Sequence, residues 1–302
     1  MKNAIKVLCF VIAFIVIGAG SIWFYFTWDK GEFKYVDGSE KGTVVITDYL
    51  GESKDVVIPG RLRGKKVTII GESAFKKTDI ESIEIGKNVT VIEKNAFNGC
   101  ESLKTVKLCE GVRSVGETAF IDCKALETVT IPSTLEKLGD GVFLETGIKE
   151  IDFSNNDYFV FKDNAIYSKD MTELYMVLPT AKVTEYICSD TLTDIHSFAF
   201  SNHAELKSFK FNDNIKKVNQ GVFASCTGLE RITLPKSVII IDGLPFVASG
   251  LKEIFIPAST TKIDKVAFAK MEEQLTIVTP KGSFAENYAK NNGLKVRTGE
   301  GL

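Results

Sequence analysis

The sequence predicts a repeat solenoid built from short parallel strands and turns. A phenylalanine recurs eight times in a similar apolar setting, and successive copies are separated by 22, 23, 23, 57, 23, 23 and 22 residues. Self-similarity at a nearly fixed period in this range is typical of solenoids, in which each repeat forms one coil and neighbouring coils share a core. The eight copies are Phe75, Phe97, Phe120, Phe143, Phe200, Phe223, Phe246 and Phe268.

Apolar residues at fixed distances from each phenylalanine are the second observation behind this prediction. The columns eight and five residues before the phenylalanine, and six, nine and eleven residues after it, are apolar in the full-length copies. Around Phe97 they hold Val89, Ile92, Leu103, Val106 and Leu108. One coil cannot bury so many apolar side chains by itself, so stacked coils are required.

Each repeat predicts a short strand after its phenylalanine. Because side chains alternate along a strand, Val106 and Leu108 are expected to point inward and Thr105 and Lys107 outward. A proline often follows, such as Pro132, and it ends the strand because it has no N–H to donate. The chain then turns back, and the next phenylalanine fills the core from the opposite wall.

The full motif, Val-x-x-Ile-x-x-x-Ala-Phe-x-x-Cys-x-x-Leu-x-x-Ile-x-Ile-Pro, resembles the BspA-like class of leucine-rich repeats over residues 43–296. The resemblance implies a leucine-rich-repeat-type right-handed coil. It also implies a bacterial cell-surface protein that acts in adhesion or protein binding.

An insert is predicted in the middle of the array. The gap of 57 residues between Phe143 and Phe200 equals one coil of 23 and 34 additional residues, which places the insert at about 154–186. Its sequence favours two or three strands around turns at 162–164 and 168–170. BspA-like arrays carry inserts of this kind.

The first coil is irregular, and residues 60–66 are predicted to form a basic loop. The amino end of the core is expected to be covered by a strand over 43–47, paired with residues 55–58.

A capping helix is predicted at the carboxyl end over about 283–292. Ser283 and Glu286 fit a capping box, and Gly293 fits a helix stop. The apolar face of this helix would cover the last coil, and residues 297–302 would form a tail. The expected face consists of Phe284, Ala285, Tyr288 and Ala289.

The amino terminus predicts a membrane anchor. Residues 7–28 contain no charge, and a helix of this length spans roughly 33 Å, enough to cross a bilayer. Lys2 and Lys6 favour a cytoplasmic tail at 1–6 and extracellular repeats in a single-pass protein, with a polar linker at 29–42. The alternative is a signal peptide cleaved near residues 19–21, which would release a secreted protein.

Composition and motifs argue against several functions. The 37 basic and 39 acidic residues create no global field for nucleic acid. The sequence contains no recognised motif for catalysis, metal binding or a cofactor, so we expect no enzyme, no metal and no cofactor. His196 and His203 are expected to be structural. Cys100, Cys123 and Cys226 share one repeat column and, without a paired framework, are expected to be free thiols.

The outward side of the strands is the candidate ligand face, and the expected partner is a protein or a glycan of unknown identity. A structural or assembly component of a cell-envelope complex is the alternative function. Phe255 is expected to be the aromatic residue on this face. The candidate residues are Glu84, Lys107, Thr130, Asp152, Lys210, Arg231, Glu253 and Phe255.

Overall fold

The computed structural model describes residues 31–153 and 155–301. Within them the chain forms a β-solenoid of about 11 turns with a single short helix near its carboxyl end. The predicted membrane span at 7–28 lies outside the described residues. No helix in the described part of the chain is long and apolar enough to cross a membrane.

The strands are short and follow the repeats. The first eleven are β1 Phe33–Asp37, β2 Thr43–Tyr49, β3 Asp55–Val57, β4 Arg61–Leu62, β5 Lys65–Ile70, β6 Ser82–Glu84, β7 Val91–Ile92, β8 Thr105–Lys107, β9 Ser114–Val115, β10 Thr128–Thr130 and β11 Lys137–Leu138. The next three are β12 Phe159–Lys162, β13 Ala165–Ser168 and β14 Glu173–Val177. The remaining elements are β15 Glu185–Ile187, β16 Asp194–Ile195, β17 Ser208–Lys210, β18 Lys217–Val218, β19 Arg231–Thr233, β20 Ile240–Ile241, β21 Glu253–Phe255, β22 Lys262–Ile263, β23 Thr276–Thr279, α1 Phe284–Asn291 and β24 Lys295–Thr298.

Each regular coil contributes one strand to each of two walls. Three-residue strands such as β8 and β10 pair in parallel, and two-residue strands such as β7 and β9 pair in parallel on the other wall. Val106 and Leu108 are each 2% exposed, whereas Thr105 and Lys107 are exposed. The predicted parallel strands and their alternation are therefore confirmed.

The repeated phenylalanines form a stacked aromatic column through the core. All eight are buried, and the rings of Phe97 and Phe120 are parallel with centroids 4.9 Å apart. The N–H of Phe97 donates to the carbonyl of Ala119 in the next coil at 2.8 Å. Asn95 and Gly99, two residues to either side of Phe97, have φ of 56° and 73°. These left-handed residues turn the chain so that the ring points inward.

Two residues of other types occupy the same position in the column. Tyr49 donates its N–H to the carbonyl of Ala74 at 2.9 Å, and Val177 donates to that of Ala199 at 2.9 Å, as the phenylalanines do. Tyr49 also stacks on Phe75 with centroids 5.2 Å apart. A pattern built on phenylalanine misses both coils.

Strands β12 to β14, which we call the meander, pair antiparallel, and β14 then pairs in parallel with β16. The meander has two buried faces. Ile166 and Met176 belong to the core on its amino-terminal side, whereas Tyr167 and Leu174 belong to the core on its carboxyl-terminal side. The meander therefore divides the solenoid into an N-terminal array and a C-terminal array.

The insert contains three strands, β12 to β14, where the sequence favours two or three, and it ends earlier than predicted. Counting from Phe143, Val177 follows after 34 residues and Phe200 after another 23, so the second interval is a regular coil. Strand β15 pairs with β17 as an ordinary coil strand, so the insert ends well before residue 186. The excess over a regular coil is only about a third of the predicted insert, because β14 itself serves as a wall strand.

The amino end differs from the prediction in three ways. The predicted linker contains β1, which pairs antiparallel with β2 and covers the first coil. Strand β2 pairs with β1 and β5, whereas β3 pairs with β6 on the other wall, so the predicted pairing of 43–47 with 55–58 is wrong. The predicted basic loop is a hairpin of β4 and β5. These differences arise because the alternation of apolar and polar residues identifies a strand but not the strand that it pairs with.

The carboxyl end carries the predicted helix with one error. The Ser283 hydroxyl accepts the N–H of Glu286 at 3.1 Å, and Gly293 has a φ of 69°. Ala285 and Ala289 are fully buried, but Phe284 is 45% exposed, so its predicted place on the apolar face is wrong. The first helical turn directs Phe284 away from the last coil. Strand β24 then pairs with β23, so the array extends two residues into the predicted tail.

Candidate interaction surface

The outward side chains of the three-residue strands form what we call the strand face. Register pairs Glu84 with Lys107, Lys107 with Thr130, and Thr130 with Asp152, which places four predicted residues in one row. Neighbouring parallel strands are about 4.8 Å apart, so the row is continuous over four coils.

Charges on this row are partly neutralised across strands. The Lys107 ammonium lies 3.1 Å from a Glu84 carboxylate oxygen, and both side chains are about half exposed. Exposed pairs of this kind contribute little to stability. Thr130 lies beyond the pair as an exposed polar side chain.

A stronger charge cluster borders the strand face. Hydrogen bonds from Lys104 at 2.7 Å and Lys54 at 2.8 Å reach the two oxygens of Glu81 and lower the pKa of this carboxyl to about 2. Glu81 therefore remains ionised under all physiological conditions. The cluster fixes side chains from three successive coils at one edge of the face.

The predicted residues of the C-terminal array fall into two rows. In the first row, Lys210 pairs with Thr233, which pairs with Phe255. In the second row, on the same strands, Arg231 pairs with Glu253. Glu253 accepts from Arg297 at 2.5 Å and lies 3.5 Å from Arg231. The structure thus brings Arg231 and Glu253 together but leaves Lys210 in the other row.

Phe255 is 8% exposed, so its predicted exposure on the strand face is wrong. Alternation directs its side chain outward, but the end of the chain covers it. Val278 lies directly opposite and is fully buried, and Arg297 on β24 lies opposite Val278 and reaches across to Glu253. The capping strand was not predicted from the sequence, so this cover could not be foreseen.

Two exposed aliphatic residues on the strand face were missed. Val57 on β3 is 64% exposed and Ile187 on β15 is 61% exposed. Val57 pairs with Glu84 and Ile187 pairs with Lys210, so each extends a predicted row by one coil. Strand alternation applied to β3 and β15 would have identified both residues.

The face is shallow. A depression of about 360 Å³ lies between two coils of the N-terminal array and is wide open to solvent. Its lining consists of Lys104, Thr105, Ala125, Glu127 and Thr128. Ligand sites for small molecules are usually concave and mostly apolar, so this surface suits a large partner better.

The cysteine column follows a repeated hydrogen bond. Each thiol donates to the carbonyl of the phenylalanine in the preceding coil, Cys100 to Phe75 and Cys226 to Phe200, both at 3.0 Å. Burial raises the pKa of Cys226 to about 12, which keeps the thiol protonated. All five cysteines in the described ranges are free thiols, and the three in this column are buried.

A polar cluster lies at the junction of the two arrays. His196 Nδ1 lies 2.8 Å from Asp140 of the N-terminal array, and Nε2 lies 3.1 Å from Glu173 of the meander. Its ring stacks on Tyr175 at a centroid distance of 4.0 Å. Burial by itself would lower the pKa of His196, but the two carboxylates outweigh it and raise that pKa above its usual value. The cluster joins three parts of the chain, and no group of metal-binding residues occurs among those described.

Comparisons with known proteins identify the repeats. The model of the BspA-type leucine-rich repeat region matches residues 68–187 and 179–276, with six copies. No curated protein matches the chain.

Solved structures that resemble the chain include three leucine-rich repeat proteins. A cell-surface protein of Faecalibacterium prausnitzii is 20% identical, with 90% of this chain and 98% of that chain covered and a TM-score of 0.45. A protein of T. pallidum is 19% identical, with coverages of 89% and 96% and a TM-score of 0.42. A protein of Bacteroides capillosus is 32% identical, with coverages of 40% and 93% and a TM-score of 0.37. Because the family model covers more than half of the sequence, the chain belongs to the BspA-type leucine-rich repeat family.

Proposed function

We propose that the protein is a surface-displayed binding module that recognises another protein through the strand face. The continuous rows of exposed side chains over successive coils are the observation that carries this proposal. Such rows offer an extended surface rather than a pocket. Exposed Val57 and Ile187, each at one end of a row, add apolar contact area to this surface.

A protein partner fits this face better than a glycan. Stacking on sugar rings needs exposed aromatic side chains, and Phe255 is buried. No other aromatic residue points outward from the described strands of this face. A glycan array that retains the protein through the strand face would favour the other ligand class.

The anchor and the orientation belong to the same proposal. Residues 7–28 hold the protein in the cell membrane, and Lys2 and Lys6 keep the amino terminus in the cytoplasm. A membrane-impermeant maleimide should label Thr130→Cys in intact cells and Lys2→Cys only after permeabilisation, in a Cys109→Ser background. Labelling of both positions, or of neither, in intact cells would contradict this orientation.

Photocrosslinking in intact cells tests the binding face. A photoreactive residue at Thr130 or Lys210 should yield adducts with another protein, whereas the same residue at Lys137 or Lys216, on the opposite wall, should not. Adducts from the opposite wall alone would contradict the proposal. Adducts only with proteins of the same membrane would favour the alternative function, assembly of an envelope complex.

A matched pair of substitutions tests the apolar contact. Ile187→Asp should reduce the adducts formed from Lys210, because it replaces the exposed aliphatic side chain beside Lys210 with a charge. Ile239→Asp is the control, since Ile239 is 43% exposed on the other wall. Equal effects of the two substitutions would indicate that the strand face has no special role.

A further inference from the structure

The β4–β5 hairpin holds a group of four cations, of which Lys65 is paired with Asp37. Residues 60–66 include Arg61, Arg63, Lys65 and Lys66 and no carboxylate. The hairpin turns at Arg63 and Gly64, with φ of 46° and 83°, which is the geometry that best matches strand twist. Leu62 is 1% exposed and fixes the hairpin to the core, so the cations are held on an ordered element.

Two of these cations face each other directly. Arg61 pairs with Lys66 across the hairpin, and both side chains are exposed. Like charges at opposed positions destabilise a strand pair. Among the described residues, no carboxylate lies within ion-pair distance of Arg61 or Lys66. The Arg61 guanidinium donates to the Gly64 carbonyl at 2.6 Å, which orders the side chain but leaves the charge of the pair unneutralised. Opposed like charges that are not neutralised are typical of a functional site.

Exposed aliphatic side chains lie at the same end of the solenoid. The N–H of Lys66 donates to the carbonyl of Gly42 at 2.9 Å, which places the hairpin beside the β1–β2 turn. Val36 on β1 and Leu50 after β2 are each 54% exposed. The N–H of Leu50 donates to the carbonyl of Glu32 at 2.6 Å, where the chain enters β1.

The position of this end relative to the proposed anchor is limited by chain length. The predicted span ends at Trp28, and β1 begins at Phe33. A step of five residues covers at most about 17 Å even when fully extended. The end of the solenoid that carries the hairpin is therefore the end that the anchor would hold at the membrane surface.

We infer that this end is a membrane-docking surface for anionic lipid headgroups, formed by Arg61 and Lys66 with the exposed Val36 and Leu50. Cations attract the headgroup phosphates, and the aliphatic side chains enter the interface, the combination by which proteins bind membrane surfaces. The contact sets the orientation of the solenoid above the bilayer. The inference rests on the proposed anchor.

The test uses the full chain reconstituted in vesicles. A donor dye on Ser39→Cys, beside the hairpin, reports distance to acceptor-labelled headgroups, in a Cys9→Ala, Cys109→Ser background. Energy transfer should be higher in vesicles that contain phosphatidylglycerol than in phosphatidylcholine vesicles, and high salt should remove the difference. A dye on Lys262→Cys, on a distant coil, should show no such difference.

Charge removal supplies the matched control. Arg61→Gln with Lys66→Gln should abolish the difference between the two lipids, because each cation near an anionic surface changes the bound population by about fivefold. Lys137→Gln with Lys216→Gln removes the same charge from the other wall and should leave the difference intact. Thermal unfolding should show that the hairpin variant is at least as stable as the parent, since opposed cations are removed.

The outcomes separate the anchor from the docking surface. If the chain floats with both kinds of vesicle but transfer at Ser39 is independent of lipid charge, the docking surface is refuted and the anchor stands. If the chain does not float with vesicles, both ideas fail. If polyglycerol phosphate in solution binds the protein while anionic lipid has no effect, the partner is an anionic polymer and the lipid assignment is wrong.

Discussion

The contacts within each array differ in kind from those at the junction between the arrays. Within the arrays, the same apolar contact repeats from coil to coil, as in the parallel rings of Phe97 and Phe120, 4.9 Å apart. At the junction, the column position is held by Val177, and a polar contact that occurs once, His196 to Asp140, joins the two arrays. The arrays therefore depend on one repeated contact, whereas the junction depends on contacts that are made only there.

At the junction the column position holds the smaller Val177, and an aromatic ring at another position, Tyr186, packs in the same core. Tyr186 lies 4.7 Å from Phe200 and 5.4 Å from Phe209, measured between ring centroids. Tyr186 thus adds an aromatic ring to the core of the C-terminal array from a position outside the phenylalanine column.

The largest expected effect comes from the repetitive column. Phe120→Ala removes a fully buried ring between two stacked neighbours and should lower the free energy of unfolding by about 3 to 5 kcal/mol. Chemical denaturation measures the change. Phe284→Ala is the control, because Phe284 is 45% exposed, and it should cost less than about 1 kcal/mol. A loss below about 1 kcal/mol for Phe120→Ala would contradict the assigned register.

Asn156 is the critical single residue before the meander. Its amide donates to the carbonyls of Pro132 at 3.1 Å and Leu135 at 2.9 Å, and its oxygen accepts the N–H of Phe159 at 2.9 Å. Asn156→Ala leaves buried backbone groups without partners and should cost about 2 to 3 kcal/mol in chemical denaturation. Asn155→Ala, an exposed neighbour, should change stability by less than about 0.5 kcal/mol. Similar losses for the two variants would count against this role.

Restoring the repeat at the junction should be harmful. Val177→Phe introduces the residue that the repeat pattern favours, but Val177 is 3% exposed in a core to which Tyr186 already adds a ring. Overpacking should cost about 1 to 3 kcal/mol in the free energy of unfolding. Val247→Phe, at a site that is 37% exposed, is the control and should have little effect. A gain in stability for Val177→Phe would show that the junction is underpacked.

The two histidines should give opposite dependences of stability on pH. The pKa of His196 is raised above its usual value by carboxylates despite burial, so its contribution is complete below the unfolded-state pKa and is lost as pH rises through the folded-state pKa. Burial lowers the pKa of His203, so the folded state is penalised as pH falls below the unfolded-state pKa.

Urea denaturation between pH 5 and pH 8.5 measures this difference. His196→Gln should cost about 1 to 2 kcal/mol in acid and less in base, because only the charged ring forms strong bonds with Asp140 and Glu173. His203→Gln should flatten the acid side of the wild-type profile. Parallel profiles for the two variants would contradict the assigned environments.

Sequence periodicity was sufficient to predict the regular coils, because each buried position must be apolar in every repeat. Phe97, Val106 and Cys100 are all buried as the columns predict. The repeat pattern did not identify the coils at Tyr49 and Val177. There the backbone hydrogen bonds define the coil, and a different side chain occupies the position of the phenylalanine.

The exposure of strand-face residues could be predicted in the regular coils but not next to the carboxyl-terminal strand. Alternation located Glu84, Lys107 and Thr130 correctly on the outside. It failed at Phe255, because burial there depends on a strand of the cap and on Arg297 rather than on the repeat itself. The polar cluster at His196 was likewise missed, since its partners come from residues 56 and 23 positions away.

The most direct test of the central claim, that the meander is a wall and partition of the core, is hydrogen exchange of the amides of β14. These amides bond to neighbouring coils, as in the 2.9 Å bond from Val177 to Ala199. They should exchange as slowly as those of β16 and β18 in the C-terminal array. Exchange as fast as that of the exposed residues Asp157 and Tyr158 would show that the meander is a peripheral appendage and would contradict the claim.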